Sequence, residues 1–477
     1  MENFHFSPRI INPKKIANVI LFSADEKVRR SGKIIEKEMP WVNCVVLSDP
    51  LSVSDFISDK ASVFVLDDMS MTFVDSVKIH KNNKDSVVIL LSSNDQIHRL
   101  SPKEALEKFP YTGKADLIFA FNQTKYLPNQ IIISVIRCAE DLLNIYAYSQ
   151  ERRFIFLIVD DEPRWFSQFL PALYEILGQR ADVKVTRTYE ETLQFLFGVE
   201  HESDIDKDHY LEKGYGDNVV CLITDVFYPR GLEQRSNAGV DLIRLVKAFY
   251  PRIPTIIASK AKEAEDLKDM AFILPKGDPG SLETFRNYIY DHTGLGDFFV
   301  RDKDGMEIYR AKHIIDLYSI IKQAQKETIK AHQLRNILEN YGRKDSFSTW
   351  LYMHGFRELG DRLQPMNITG KEMISVLKGE LKKEILRMKK TPIIIDDFEV
   401  FDLFGLLNAL QKADPETIQP LSDSDTFSTW LDCKSYPELA EEVRPIHGSG
   451  KKSNYKIAGI VEKWIKIYAE REGPSRR

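Results

Sequence analysis

The stretch FIFLIVDDEPRWF, residues 154–166, decides the fold. Its first six residues are apolar without a break, and they run directly into Asp160 and Asp161. An apolar run of this length, too short for a buried helix, reads as a strand covered on both faces, the kind found in parallel sheets. The two adjacent carboxylates that end it repel each other, so the surroundings must supply something that holds them together.

Outward from this strand the pattern alternates. RWFSQFLPALYEIL reads as an amphipathic helix, VKVTRT as a strand and YEETLQFLFG as a helix. After the polar stretch HESDIDKDHYLEKGYGDN come the strand VVCLITD, the helix AGVDLIRLVKAFY, the strand TIIAS, the helix AEDLKDM, the strand AFIL and the helix SLETFRNYIYDH. Strands separated by helix-length crossovers imply an open, doubly wound parallel sheet of five strands. Such sheets bind ligands beyond the carboxyl ends of their strands. Asp160 and Asp161 end the first strand, Asp225 the third and Ser259 the fourth, while Lys276 follows the fifth, so all five converge on one sheet edge. Residues 16–147 repeat the rhythm with NVILFSAD, NCVVLSD, SVFVLDD, SVVILLSS and ADLIFAF, closed by a long helix from Leu127. The first 300 residues therefore read as two copies of one fold.

Composition sets the class. The chain has 477 residues, 43% hydrophobic and 29% charged, with a formal net charge of -5, which describes an ordinary, mildly acidic globular protein. No apolar run approaches the roughly 18 residues that span a bilayer, and the start MENFHFSPRIINPKK lacks the order of a signal peptide, so a cytoplasmic location without membrane contact is expected. Cys44, Cys138, Cys221 and Cys433 are scattered, which indicates neither a disulfide framework nor a zinc site. Cys44 and Cys221 fall in apolar runs and read as packed thiols.

Three carboxylates at one sheet edge are hard oxygen ligands that suit Mg²⁺. With the cation bound, one aspartate can act as nucleophile toward a phosphoryl donor, and a nearby lysine neutralises the charge on the phosphoryl oxygens.

This constellation resembles the receiver domain of two-component response regulators over residues 152–297. LIVDDEP is similar to the family's acidic pair, LITDVFYP to its phosphoacceptor segment, PTIIAS to the segment with the hydroxyl and FILPKGD to that with the lysine. The resemblance implies a flavodoxin-like domain in which Asp160, Asp161 and Asp225 hold Mg²⁺ together with the Phe227 backbone carbonyl. It further implies that Asp225 accepts the phosphoryl group, that Ser259 is the switch hydroxyl and that Lys276 is the charge partner. The chain departs from the family in a longer loop from Asp225 to Gly239 and in Ile273, which replaces an aromatic switch residue. In the first copy Asp67 takes the acceptor position and Ser92 the hydroxyl position. Ser23 and Ala24, however, stand near the places of the acidic pair, and Phe121 replaces the lysine. This copy reads as a pseudo-receiver, a docking or dimerising module; the alternative is that Asp67 still takes phosphate weakly.

Beyond residue 300 a second repetition appears. DSFSTWLYMHGFRELGDRLQPMNITGKEM (345–373) aligns without a gap on DTFSTWLDCKSYPELAEEVRPIHGSGKKS (425–453). Phe347, Trp350 and Leu351 match Phe427, Trp430 and Leu431, a spacing that reads as core. Two small, mostly helical α+β units are expected, 298–391 and 392–477, after a pseudo-receiver at 1–150 and a receiver at 151–297. Neither unit carries a paired acid and base, a metal-ligand set or a nucleophile, so no enzyme activity of their own is expected. GSGKKS is not a Walker A motif, since Pro445 takes the place of its first glycine and Lys452 that of its hydroxyl residue. Basic and acidic residues are nearly balanced here, which argues against DNA reading. Two receiver-like domains followed by this segment resemble the amino-terminal regulatory region of some bacterial pyruvate phosphate dikinase or phosphoenolpyruvate synthase-like proteins. The expected function is a non-DNA-binding response regulator. A histidine kinase or phosphotransfer protein would phosphorylate Asp225, and the repeats would pass the signal to an output protein, with a homodimer as one allowed arrangement. The competing reading is a scaffold that uses receiver folds for assembly.

Overall fold

A computed structural model describes residues 14–472, except 40–41, 48, 122–126, 148–153, 178–180, 210–212, 252, 260–266, 276–280, 355, 365, 424–425, 445 and 447–450. The chain divides into two compact units, Pro13–Leu177 with Ala181–Arg286, and Asn287–Arg477.

In the first unit the order is β1 (Asn18–Phe22), α1 (Glu26–Glu38), β2 (Asn43–Val46), β3 (Ser62–Leu66), α2 (Asp68–Phe73), α3 (Ser76–Asn82), β4 (Ser86–Ser92), α4 (Pro102–Lys108), β5 (Leu117–Ala120) and α5 (Pro128–Ala147). The second copy follows as β6 (Ile155–Val159), α6 (Pro163–Leu177), β7 (Asp182–Thr186), α7 (Tyr189–Phe197), β8 (Val219–Thr224), β9 (Tyr228–Arg230), β10 (Glu233–Ser236), α8 (Ala238–Phe249), β11 (Thr255–Ala258) and β12 (Phe272–Leu274), with α9 (Ser281–Thr293) running on past the end of the unit. The two sheets run β2-β1-β3-β4-β5 and β12-β11-β8-β6-β7. Each is parallel throughout and has the same local strand order, 2-1-3-4-5, of flavodoxin-like sheets. Two alike five-stranded parallel α/β sheets are therefore present, as the alternating pattern predicts, and both lie in the one compact unit. The apolar runs are buried as expected, with every residue of β1, β3, β4 and β6 inside. Cys221 is buried, whereas Cys44 on the edge strand β2 is only half-buried.

Two features were not foreseen. The long loop after Asp225 folds into an antiparallel hairpin, β9 with β10, turning at Gly231, whose φ of 57° lies in the left-handed region that glycine tolerates. Arg230 pins the hairpin through Glu202 at 2.7 Å and Asp241 at 2.6 Å, and stacks over the Tyr189 ring. The second feature is β7, which is an edge strand yet fully buried. The first copy covers it: α5 packs on β7, and α6 packs in turn on β5, the edge strand of the first sheet. Each edge lends an N–H to the other copy, Val183 to the Asp141 carboxylate at 2.8 Å and Ala120 to the Ser167 hydroxyl at 3.0 Å. Asp141 also accepts from the Tyr174 hydroxyl at 2.6 Å. Phe119 meets Phe166 edge to face, and Arg137 lies over the Tyr174 ring.

The second unit repeats a hairpin followed by helices. Its first copy holds β13 (Phe298–Arg301), β14 (Glu307–Ala311), α10 (Ile314–Ala324), α11 (Ile329–Arg343), α12 (Ser346–Met353), α13 (Arg357–Arg362) and α14 (Gly370–Lys390). Its second holds β15 (Ile393–Ile395), β16 (Phe398–Val400), α15 (Leu403–Lys412), α16 (Pro415–Asp423), α17 (Thr426–Cys433), α18 (Pro437–Val443) and α19 (Lys451–Glu472). Trp350 and Trp430, 1% and 0% exposed, are core residues of their repeats, with Phe347 and Phe427 equally buried. The basic stretch of α14 is the outer face of an amphipathic helix whose inner face buries Met373, Ile374, Leu377, Leu381 and Met388. Residues 448–450 of GSGKKS lie outside the described residues, and 451–453 open α19.

Candidate functional site

The sheet register brings the sequence-predicted residues of the second copy to one edge. Val159 pairs with Thr224, and Thr224 with Ile257. The next residues, Asp160 and Asp225, therefore emerge side by side, and the Asp225 amide donates to the Val159 carbonyl at 3.0 Å. Ser259 follows β11 by one residue, its amide donating to the Leu274 carbonyl of the neighbouring strand at 3.1 Å. Lys276 lies outside the described residues.

Asp160 is buried, and its Oδ1 accepts the Glu162 amide at 3.0 Å, which shapes the turn into α6. Asp161 follows in this turn and is half-buried. Burial pushes its carboxyl up to about 7, Asp160 and Glu162 push in the same direction, and the Arg187 guanidinium opposes them. The repulsion expected of adjacent carboxylates is thus present. One Asp225 carboxylate oxygen accepts the Val226 amide at 2.6 Å, which orients the group. α8 abuts this loop so closely that a Cβ on Gly239 would lie 1.9 Å from the Asp225 carbonyl oxygen; only glycine fits there. Phe227 and Ile273 pack against a small cluster of Val226, Ile243, Ile257, Leu267 and Ala271, so Ile273 is a packed aliphatic side chain of the sheet.

The oxygen donors Asp160, Asp161 and Asp225 fit a hard divalent cation by type; burial is the larger cause of the raised Asp161 carboxyl, and the push from Asp160 that adds to it is the part such an ion would relieve. Among the described residues, no three carboxylate, imidazole or thiol side chains already close on a common point for a metal.

The first copy places its residues as predicted but ties them to one another. Asp67 Oδ2 accepts the Ser23 hydroxyl at 3.0 Å and the Ala24 amide at 2.6 Å. Its Oδ1 accepts the Ser70 amide at 2.8 Å and the Ser70 hydroxyl, so Asp67 is the N-cap of α2. Asp68 accepts the Ser92 hydroxyl at 2.6 Å and the Ser93 amide at 2.9 Å. Phe121 is buried, its amide bonded to the Ser92 carbonyl. Protein donors surround Asp67 where the second copy presents an acidic pair.

Sequence reasoning missed Arg187. Its guanidinium donates to the Asp161 carbonyl, 26 positions away, and to the Leu100 carbonyl, 87 positions away. No local pattern encodes separations of that size.

No family model matches the chain, and no curated protein matches it. Among solved structures, a protein described as a sugar-binding protein from Salmonella typhimurium LT2 aligns at 9% identity over 57% of this chain and 86% of its own. The TM-score of 0.19 is too low to bear on fold or function. No helix among the described residues is long and apolar enough to cross a membrane.

Proposed function

We propose that the chain is a phosphorylatable signalling protein of the response-regulator kind, with Asp225 as phosphoacceptor and the C-terminal repeats as the output surface toward a protein partner. The observation that carries this reading is the matched register that delivers Asp160, Asp161, Asp225 and Ser259 to one carboxyl-terminal sheet edge. In the reaction, an Asp225 carboxylate oxygen attacks the phosphorus of a phosphohistidine on a kinase or phosphotransfer protein. The P–N bond breaks and the imidazole leaves, giving an acyl phosphate. The Val226 amide fixes the carboxylate for attack, and Ser259 stands at the edge as a donor to the transferred group. Mg²⁺, held by Asp160, Asp161, Asp225 and the Phe227 carbonyl, would neutralise the charge on the phosphoryl oxygens. Lys276 belongs to the proposal as the second neutralising charge.

Incubating the full chain with a small acyl phosphate and Mg²⁺ tests this. The parent is expected to take up label, Asp225→Asn to take up none and Asp67→Asn still to carry its label on Asp225; equal labelling of Asp225→Asn and parent would overturn the acceptor assignment. A second reading, assembly without phosphorylation, is favoured by one observation, the closure of the first copy's own site by hydrogen bonds. It requires that Asp225→Asn leave partner capture and oligomeric state unchanged.

A further inference from the structure

Arg187 stands one residue beyond β7, half-buried between the two α/β domains. Its Nη2 donates to the Asp161 carbonyl at 2.6 Å and to the Leu100 carbonyl at 3.3 Å, and its Nε donates to Asp161 at 3.2 Å. One planar fork thus joins the backbone of the acidic pair to the backbone of the first domain. The far end is itself fixed. Ser101 caps α4 in a reciprocal box with Glu104, the His98 Nε2 donates to the Ser92 carbonyl at 2.8 Å, and the Ser92 hydroxyl donates to Asp68. A continuous set of contacts therefore runs from the closed site of the first copy, through Ser92, the 97–101 turn and Arg187, to Asp161. The same guanidinium is a cation that offsets the crowding of the carboxylates.

We propose that Arg187 is a positioning residue for the phosphoacceptor site, locking the Asp161 turn to the first domain so that this domain sets the geometry of the acidic pair. The proposal rests on the phosphoacceptor reading, and it gives the first domain a role that needs no phosphorylation of its own. A closed Asp67 and Asp68 make it a fixed abutment. The fork geometry matters because a guanidinium can serve two carbonyls in one plane, whereas an ammonium on a flexible stem is a point donor. Arg187 borders a cavity of about 300 Å³ that is also lined by Leu106, Phe119, Phe166, Lys184 and Glu191, so a shorter or uncharged side chain fits without a clash.

The test uses the full chain with Arg187→Met and Arg187→Lys, read by amide hydrogen exchange without any phosphodonor and by labelling with acyl phosphate at saturating Mg²⁺. Both variants are expected to speed exchange about tenfold in the segments 98–104 and 160–166 together, leaving β4 and β6 at parent rates, and to slow labelling about tenfold. Arg187→Lys keeps the charge without the fork, so its failure to restore the rate identifies positioning as the cause. Parent-like exchange in either segment of Arg187→Met, or full recovery of rate by Arg187→Lys, would overturn the proposal. A parent chain that takes no label sinks the phosphoacceptor reading and the catalytic part of this proposal, while the exchange arm still decides whether Arg187 couples the two domains.

Discussion

The clearest contrast between single residues is that between Asp67 and Asp225, two aspartates at equivalent strand ends with different surroundings. Asp67 accepts from the Ser23 and Ser70 hydroxyls and from the Ala24 and Ser70 amides, and so acts as helix cap and loop tie. Asp67→Ala is expected to cost about 2 kcal/mol, the loss of a cap plus donors left without an acceptor, whereas Asp225→Asn, whose amide oxygen can still accept the Val226 amide, should change stability by less than about 0.5 kcal/mol; urea unfolding of the two variants checks this. His98 carries a second expectation. Burial holds its imidazole below the ordinary value, against the opposing pull of the Ser92 carbonyl that accepts from Nε2 and of the Asp68 and Asp95 carboxylates, and the buried Nδ1 has no hydrogen-bond partner among the described residues. The folded chain then resists a proton that the unfolded chain accepts near pH 6.5, so this residue's contribution is intact above about pH 6.5 and is lost as the pH falls below it. The melting temperature of the parent should drop more between pH 7.5 and 5.5 than that of His98→Gln, whose amide keeps the donor without the titration.

Among the elements, β7 shows how an edge strand can be made interior. Its sequence, DVKVT, alternates polar and apolar residues and so suggests one wet face, yet all five residues are buried. Lys184 survives there because Glu191 lies 3.6 Å away and the rings of Tyr146 and Phe195 flank its ammonium. The exchange of N–H donors across the two sheets also blunts both edges against pairing with another chain. Asp141, 5% exposed, satisfies the Val183 amide and the Tyr174 hydroxyl at once. Asp141→Ala strands two buried donors and should destabilise the unit by about 3 kcal/mol. Ser167→Ala removes a single neutral acceptor and should cost about 1 kcal/mol. Chemical denaturation separates the two, and a tendency of Asp141→Ala to self-associate would report the exposed edge.

On the scale of the whole molecule, the chain uses duplication twice and in each case lets one copy differ. In the α/β pair one copy keeps an acidic edge and the other closes it. In the C-terminal pair the difference lies in the tryptophans. Trp350 Nε1 donates to the Gly296 carbonyl at 2.9 Å, while Trp430 Nε1 is buried with no hydrogen-bond partner among the described residues. Replacing each by phenylalanine removes similar volume, but only Trp350→Phe also breaks a hydrogen bond. It should therefore be the costlier change by about 1 kcal/mol, measured as the difference in unfolding free energy between the two variants.

The sequence by itself determined the ten strands of the two parallel sheets and the strand ends that Asp160, Asp161, Asp225 and Ser259 follow, because buried strands are written as continuous apolar runs and a parallel sheet sends all its carboxyl ends to one edge. It also determined the repeated tryptophan cores. Only the tertiary structure decided that β7 is interior, that Asp67 is tied to Ser23, Ala24 and Ser70, that the loop after Asp225 is a hairpin held by Arg230, and that Arg187 bridges two domains. Each of these depends on contacts between residues far apart in the chain, whose partners are chosen by how the two sheets pack together, and local periodicity carries no record of that choice.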